Sequence, residues 1–165
     1  MTSAHLNAQL IETLYTALQR RDGAAMAACY HPDARFSDPV FPDLQGPRAG
    51  AMWKMLCERA STLVVEFRDV AADDHTGRAH WEAKYLFSAT GRHVHNVIEA
   101  TFEFRDGLIA RHIDRFDLWK WSGMALGGKG KLLGWAPFVH RAIRKQAARG
   151  LQQFEAGAAG APAGR

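Results

Sequence analysis

Cysteine is scarce in this 165-residue chain: only Cys29 and Cys57 occur. Two thiols in helical-looking surroundings make no disulfide framework, so both read as small core residues and a reducing, cytoplasmic setting is expected. No run of about 18 uncharged apolar residues occurs, so no membrane-spanning helix is expected. Met1–Leu10 lacks the charged start, apolar run and small-residue cleavage site of a signal peptide. Proline is also sparse, and four of the six fall within residues 31–47. That stretch is expected to be an irregular loop, with a short extended piece around Arg35–Ser37. Acidic residues almost vanish late in the chain. Residues 129–165 hold seven Lys and Arg and one acid, against 14 basic and 16 acidic residues in 1–128. The excess of positive charge belongs to an appendage, so a general nucleic-acid-binding surface is not expected.

Apolar material is plentiful. Nine Phe, five Trp and three Tyr supply enough surface to exclude disorder for the bulk of the chain. The length suits one domain with a real core.

Leu6, Leu10, Ile11, Leu14, Tyr15 and Leu18 recur at helical spacing, predicting an amphipathic helix over residues 5–20. A second short helix, Ala24 to Tyr30, is expected to stop near Pro32. A third runs from Arg48 to Ala60 and buries Met52, Met55 and Leu56. The period then changes to two. Leu63–Ala71, Arg78–Thr90, Arg92–Arg105 and Leu108–Ser122 read as four strands of an antiparallel meander, with Gly77, Gly91 and Asp106-Gly107 between them. Three helices followed by such a meander give an α+β fold, with helices on one face of a curved antiparallel sheet.

Alternation assigns faces. Val94, Asn96, Ile98, Ala100, Phe102 and Phe104 share one side of the third strand, with His93, His95, Glu99 and Glu103 opposite. His112, Asp114 and Phe116 face inward from the fourth strand. Trp81, Ala83, Tyr85 and Phe87 do so from the second, leaving His80, Glu82 and Lys84 outward. The domain is expected to end at residue 122. A glycine-rich hinge and a basic amphipathic helix follow over 123–155, then a disordered tail, 156–165. The last helix has Phe138, Ala142, Ile143, Ala147, Leu151 and Phe154 as its apolar stripe. It could cover the open end of the domain or a second subunit, lie on an anionic membrane surface, or meet nucleic acid; the first is the expectation.

The inward polar set is the informative oddity. Asp114 and His112, two apart on one strand, face the same way, and Asn96 on the neighbouring strand could reach either. Buried polar groups among aromatics either satisfy one another or floor a small-molecule pocket. Asp38 is the second candidate, as the cap of an Asx-turn before Pro39 or as a general base beside the pocket. Gly123-x4-Gly128-Lys129 lacks the Ser or Thr of a phosphate-binding loop, and His93 and His95 lack a third ligand.

Three stretches carry a resemblance: Tyr30-His31-Pro32-Asp33-Ala34-Arg35-Phe36-Ser37-Asp38-Pro39, then Phe104-Arg105-Asp106-Gly107-Leu108-Ile109, then His112-Ile113-Asp114-Arg115-Phe116-Asp117-Leu118-Trp119. With the order of elements they resemble the nuclear transport factor 2-like superfamily, in its SnoaL-like, ketosteroid-isomerase-related branch. The resemblance implies a cone-like, cystatin-like roll around a small-molecule pocket. That superfamily hosts isomerases, cyclases, epoxide hydrolases, dehydratases and non-catalytic binders. Asp38-Pro39 resembles the Asp-Pro holding the base of ketosteroid isomerases, and Tyr15 their oxyanion donor. Asp114 resembles the strand aspartate of limonene-epoxide-hydrolase-like members, and Asp117 the acid/base aspartate of polyketide cyclases.

The expected activity is cofactor-independent proton transfer on a small, largely apolar organic molecule, that is isomerisation, cyclisation or dehydration. Asp38 or Asp114 would be the base, and His112 a general acid or partner of Asp114. Tyr15 and Asn96 would donate to a developing oxyanion. Trp81, Tyr85, Phe116 and Asp117 would line the ligand site. A non-catalytic binding module is the alternative. No metal or other cofactor is called for, and a homodimer through the outward sheet face is expected.

Overall fold

The computed structural model describes residues 5–160. Helix α1 (Leu6–Gln19) buries Ile11, Leu14, Tyr15 and Leu18 on one stripe, and the His5 imidazole accepts the Asn7 N–H at its start. Helix α2 is shorter than expected, Gly23–Ala27, capped by Asp22 accepting the Ala25 N–H. Such caps contribute about 1 kcal/mol each.

The chain then turns into strand β1 (Tyr30–Ser37); the extended piece expected at Arg35–Ser37 is its second half, and its first half lies where the sequence suggested a helix end and a loop. β2 (Leu44–Gln45) pairs with it, and α3 (Pro47–Arg59) follows, with proline in its first turn. β3 (Val64–Ala72), β4 (Thr76–Phe87), β5 (Arg92–Arg105) and β6 (Leu108–Arg115) form the expected antiparallel meander. Asp106 and Gly107 both take positive φ in the two-residue turn between β5 and β6, the geometry that matches strand twist.

The sheet has six strands in the order β2-β1-β6-β5-β4-β3, and β1 runs parallel to β6. That parallel pair was not expected. It brings Phe36 beside His112 and closes the edge of β6 that a four-stranded meander would expose. Helices α1 and α3 cover the inner face. Tyr15, Trp53, Phe67, Trp81 and Phe102 interlock there at ring separations of 5.5–6.4 Å.

The fourth strand is shorter than its expected span, because Asp117 ends it by capping helix α4 (Leu118–Leu126), which crosses the expected domain boundary. The glycine-rich stretch is helix α5 (Gly128–Leu133) rather than a hinge. A Cβ on Gly130 would lie 1.9 Å from the Ser122 carbonyl oxygen, so glycine is there to let α4 and α5 touch. Helix α6 (Pro137–Ala159) extends past residue 156, where disorder was expected; residues 161–165 of that tail lie outside the described residues. It lies on α3, with Leu151 fully buried and Arg48 paired with Glu155 at 3.0 Å. Arg144 Nε donates to the Pro39 carbonyl at 2.9 Å, so α6 also covers the loop after β1. Phe138 and Ala142, expected in its apolar stripe, are exposed. No helix among the described residues is long and apolar enough to cross a membrane.

Candidate functional site

Strand β6 alternates His112 and Asp114 onto the inner face, as its period demands, and both are buried. His112 sits in a box of rings: Phe102 at 4.4 Å, Phe36 at 5.0 Å, and Tyr30 and Trp53 stacked at 6.1 Å. Its nitrogens are both engaged, Nδ1 with the Tyr30 hydroxyl at 2.7 Å and Nε2 with Asp114 Oδ1 at 2.8 Å. The donor order follows from the neighbours. Trp53 Nε1–H donates to the Tyr30 oxygen at 2.7 Å, so the Tyr30 proton is free to go to His112 Nδ1. Nε2–H then donates to Asp114, which also receives Trp81 Nε1–H at 3.3 Å. A carboxylate taken out of water is costly, and these charge-assisted bonds offset much of that cost.

Tyr30 and Trp53 were not among the residues the sequence singled out. Tyr30 shares the inward parity of Ala34 and Phe36, but Pro32 between them masked the strand. Trp53 lies next to Met52 on α3, and nothing in one helix marks which aromatic will meet a partner three elements away.

Asp38 leaves the end of β1 in a tight turn. Its Oδ1 accepts the Val40 and Phe41 N–H groups at 2.7 and 2.6 Å, the Asx-turn arrangement, while its own N–H donates to the Phe41 carbonyl. Oδ2 has no hydrogen bond among the described residues. Burial pushes this carboxyl up to about 7. The Phe41 N–H works against the shift, the Asp114 charge adds to it, and the Val40 N–H and Arg144 oppose it. Tyr85 feels Asp38 in turn. Burial raises its hydroxyl first, the Trp121 N–H bonded to it at 2.8 Å lowers it, and the Asp38 charge raises it.

Asp38, Asp114, Tyr85 and Tyr15 are thus brought into one electrostatic neighbourhood. The Tyr15 hydroxyl is fully buried and has no hydrogen-bond partner; burial raises its pKa well above the ordinary value and the Asp114 charge adds to that. Asn96 is buried on the same sheet face and its amide makes no hydrogen bond among the described residues. Its register places it between Ile98 of the main core and Val94 of a second apolar cluster built with Leu118, Trp121 and Ala125. Val40, Tyr85 and Phe116 pack against both clusters, so they mark the seam between the cone and its helical cover. Asp117 does not join them; it is exposed and caps α4.

Two cavities stand out, of about 550 and 610 Å³, and neither is lined by Asp38, His112 or Asp114. The first lies by the β3–β4 turn and the second between α3 and α6. On the inner face of the sheet the rings of Tyr15, Trp53, Phe67, Trp81 and Phe102 pack against one another. Among the described residues no group of three His, Cys, Asp or Glu side chains could hold a metal ion.

Comparison with known proteins agrees with the geometry. The SnoaL-like domain profile matches residues 11–112. No curated protein sequence matches the chain. A Xanthomonas campestris protein put forward as a polyketide cyclase is 22% identical over 72% of this chain and 96% of its own, with a TM-score of 0.61. A Mycobacterium tuberculosis epoxide hydrolase of the LEH-like kind is 20% identical over 81% and 95%, TM-score 0.58. A Catenulispora acidiphila protein with a ketosteroid isomerase-like fold, solved with trimethylamine, is 8% identical over 70% and 91%, TM-score 0.62. At such identities the likeness is one of fold.

Proposed function

The chain belongs to the SnoaL-like domain family, and we propose that it takes a small, largely apolar organic molecule at the seam between cone and cover, with Asp38 as general base. One observation carries this reading. Asp38, whose Oδ2 is free, and the unpartnered Tyr15 hydroxyl both feel the Asp114 charge; Asn96, four residues along β5 from the Ala100 that faces Asp114 and so out of the reach expected of it, has a free amide on the same face. A buried donor with no partner costs about 1–3 kcal/mol, which a ligand oxygen would recover. A carboxyl titrating near neutral pH is suited to taking a proton from carbon and returning it. Tyr15 and Asn96 would donate to the oxygen on which charge develops. Val40, Tyr85 and Phe116 would enclose the apolar part. In this reading Asp114 is the fixed negative floor, held in place by His112 and Trp81 rather than acting as the base.

A second reading, a non-catalytic binder of the same fold, is favoured because neither cavity is lined by Asp38, His112 or Asp114 and because both His112 nitrogens are bonded within the fold. Solvent exchange separates the two. A panel of apolar cyclic ketones in D2O, followed by NMR, should exchange their α-protons with the wild-type protein. The rate should rise through pH 7, and Asp38→Asn should abolish it. Ketone binding without exchange would sink the enzyme reading and leave the binder.

A further inference from the structure

The outer side of the helical cover is unlike the rest of the molecule. Trp119, Leu132, Leu133, Trp135 and Phe138 are between 44% and 75% exposed. Contacts tie Trp119 to α5 and to the turn that follows it, and Phe138 opens α6 three residues after Trp135. Trp119 Nε1–H donates to the Lys131 carbonyl, and Trp135 Nε1–H to the Leu132 carbonyl. A Cβ on Gly134 would touch the Trp119 ring at 3.1 Å. Glycine at 130 and 134 lets α5 close onto α4 through backbone alone, which leaves its leucines outside. The charge along this stretch is mostly positive. Residues 118–154 contain seven Lys and Arg and no Asp or Glu. Arg144 is held by the Pro39 carbonyl; the other six are exposed and make no ion pair among the described residues. Two acids bound this stretch: Asp117, which is exposed and caps α4, and Glu155, which is taken by Arg48.

We propose that this face docks on an anionic phospholipid bilayer, with Trp119, Leu132, Trp135 and Phe138 entering the headgroup boundary and the six free cations above it. Protruding Trp, Leu and Phe ringed by unpaired Lys and Arg match such a boundary in both apolarity and charge. Both indole N–H groups are already spent on the protein's own carbonyls, so the rings present apolar edges. A nucleic acid would meet the cations and leave Leu132, the most exposed of the five, in water.

The full chain would be sedimented with vesicles of phosphatidylcholine alone and of phosphatidylcholine mixed with phosphatidylglycerol. Binding is expected on the mixed vesicles, weakened by added salt, with a blue shift of tryptophan emission. Lys129→Glu with Lys145→Glu should lower partitioning by about fivefold or more per residue. Leu132→Ser with Trp135→Ser should remove the emission shift; all four positions are exposed, so the fold should survive. Absence of binding to the mixed vesicles overturns the proposal. So does equal binding by both double variants. So does a wild-type dimer, by light scattering, that the Leu132/Trp135 variant turns into monomer without changing vesicle binding, since a second copy would then be the occupant.

Discussion

Two histidine–carboxylate arrangements lie back to back on the same sheet. On the inner face His112 meets Asp114 at 2.8 Å with side chains 0% and 3% exposed. On the outer face His80 bonds Glu99 and lies 3.3 Å from Glu82, which also takes His95 at 2.7 Å; His95 is half exposed. The chemistry is similar and the consequences differ. Outside, His80 is itself only 11% exposed, but its partner Glu99 and the neighbouring His95 are 66% and 48% exposed, so water reaches much of the cluster. Inside, the His112 nitrogens, the Tyr30 hydroxyl and the Trp53 and Trp81 N–H groups each have an assigned partner, and the loss of one orphans another. Burial, rather than distance, decides what a pair of this kind is worth.

The sharpest way to break that contrast is to remove one inner partner. Asp114→Ala leaves His112 Nε2–H and Trp81 Nε1–H without acceptors, and should cost about 3–5 kcal/mol by urea unfolding. A loss below about 1 kcal/mol would show that the inner pair behaves like a surface one.

Asp38 gives the next largest effect, and it depends on pH. Its folded pKa, about 7, lies above the ordinary carboxylate value, so the folded state holds this proton more tightly than the unfolded chain. Stability on this account is highest in acid and falls as pH rises from about 4 to about 7. The fall is at most about 4 kcal/mol. Asp38→Asn keeps the oxygen that accepts the Val40 and Phe41 N–H groups but cannot ionise. Its urea midpoint should exceed that of the wild type at pH 8 and match it near pH 4. Parallel pH profiles would mean that the Asp38 carboxyl is solvated.

Tyr30 ranks third. Its hydroxyl links Trp53 to His112, so Tyr30→Phe orphans one donor and one acceptor, and should cost about 1–3 kcal/mol. Tyr30 also shows where the sequence stopped being legible. The faces of β5 could be read residue by residue, because period two runs uninterrupted from Val94 to Phe102 and each of those assignments holds. His112, Asp114 and Trp81 were legible for the same reason. β1 was not, because Pro32 and a register shift between Tyr30 and Arg35 break its pattern, and its partner β6 lies some eighty residues away. The cover was misread for a different reason. Gly123, Gly130 and Gly134 look like punctuation in a sequence, whereas in the fold they are contact points between helices. Leu118, Trp121, Ser122 and Ala125 already stood at helical spacing, a signal that the expected strand overrode. That Asp38 keeps one oxygen free was not readable at all, since an Asx-turn and a general base share the same Asp-Pro.

The smallest expected effect on stability lies on the outer face. Glu99 holds the His80 pKa up through their hydrogen bond; burial opposes this and Glu82 assists. Glu82 is held down by its bond to His95 and then by His80. The signs set a window. The His80 contribution is complete below the ordinary histidine value and fades as pH rises through its raised one. The Glu82 contribution is complete above the ordinary carboxylate value and fades in acid. Between those limits Glu99→Gln should lower stability by urea unfolding by less than about 1 kcal/mol, and move the His80 ring resonances to a lower titration midpoint in NMR. A midpoint of unfolding that drops as far as in Asp114→Ala would mean that the outer cluster is sealed from water, as it would be under a second subunit on that face of the sheet.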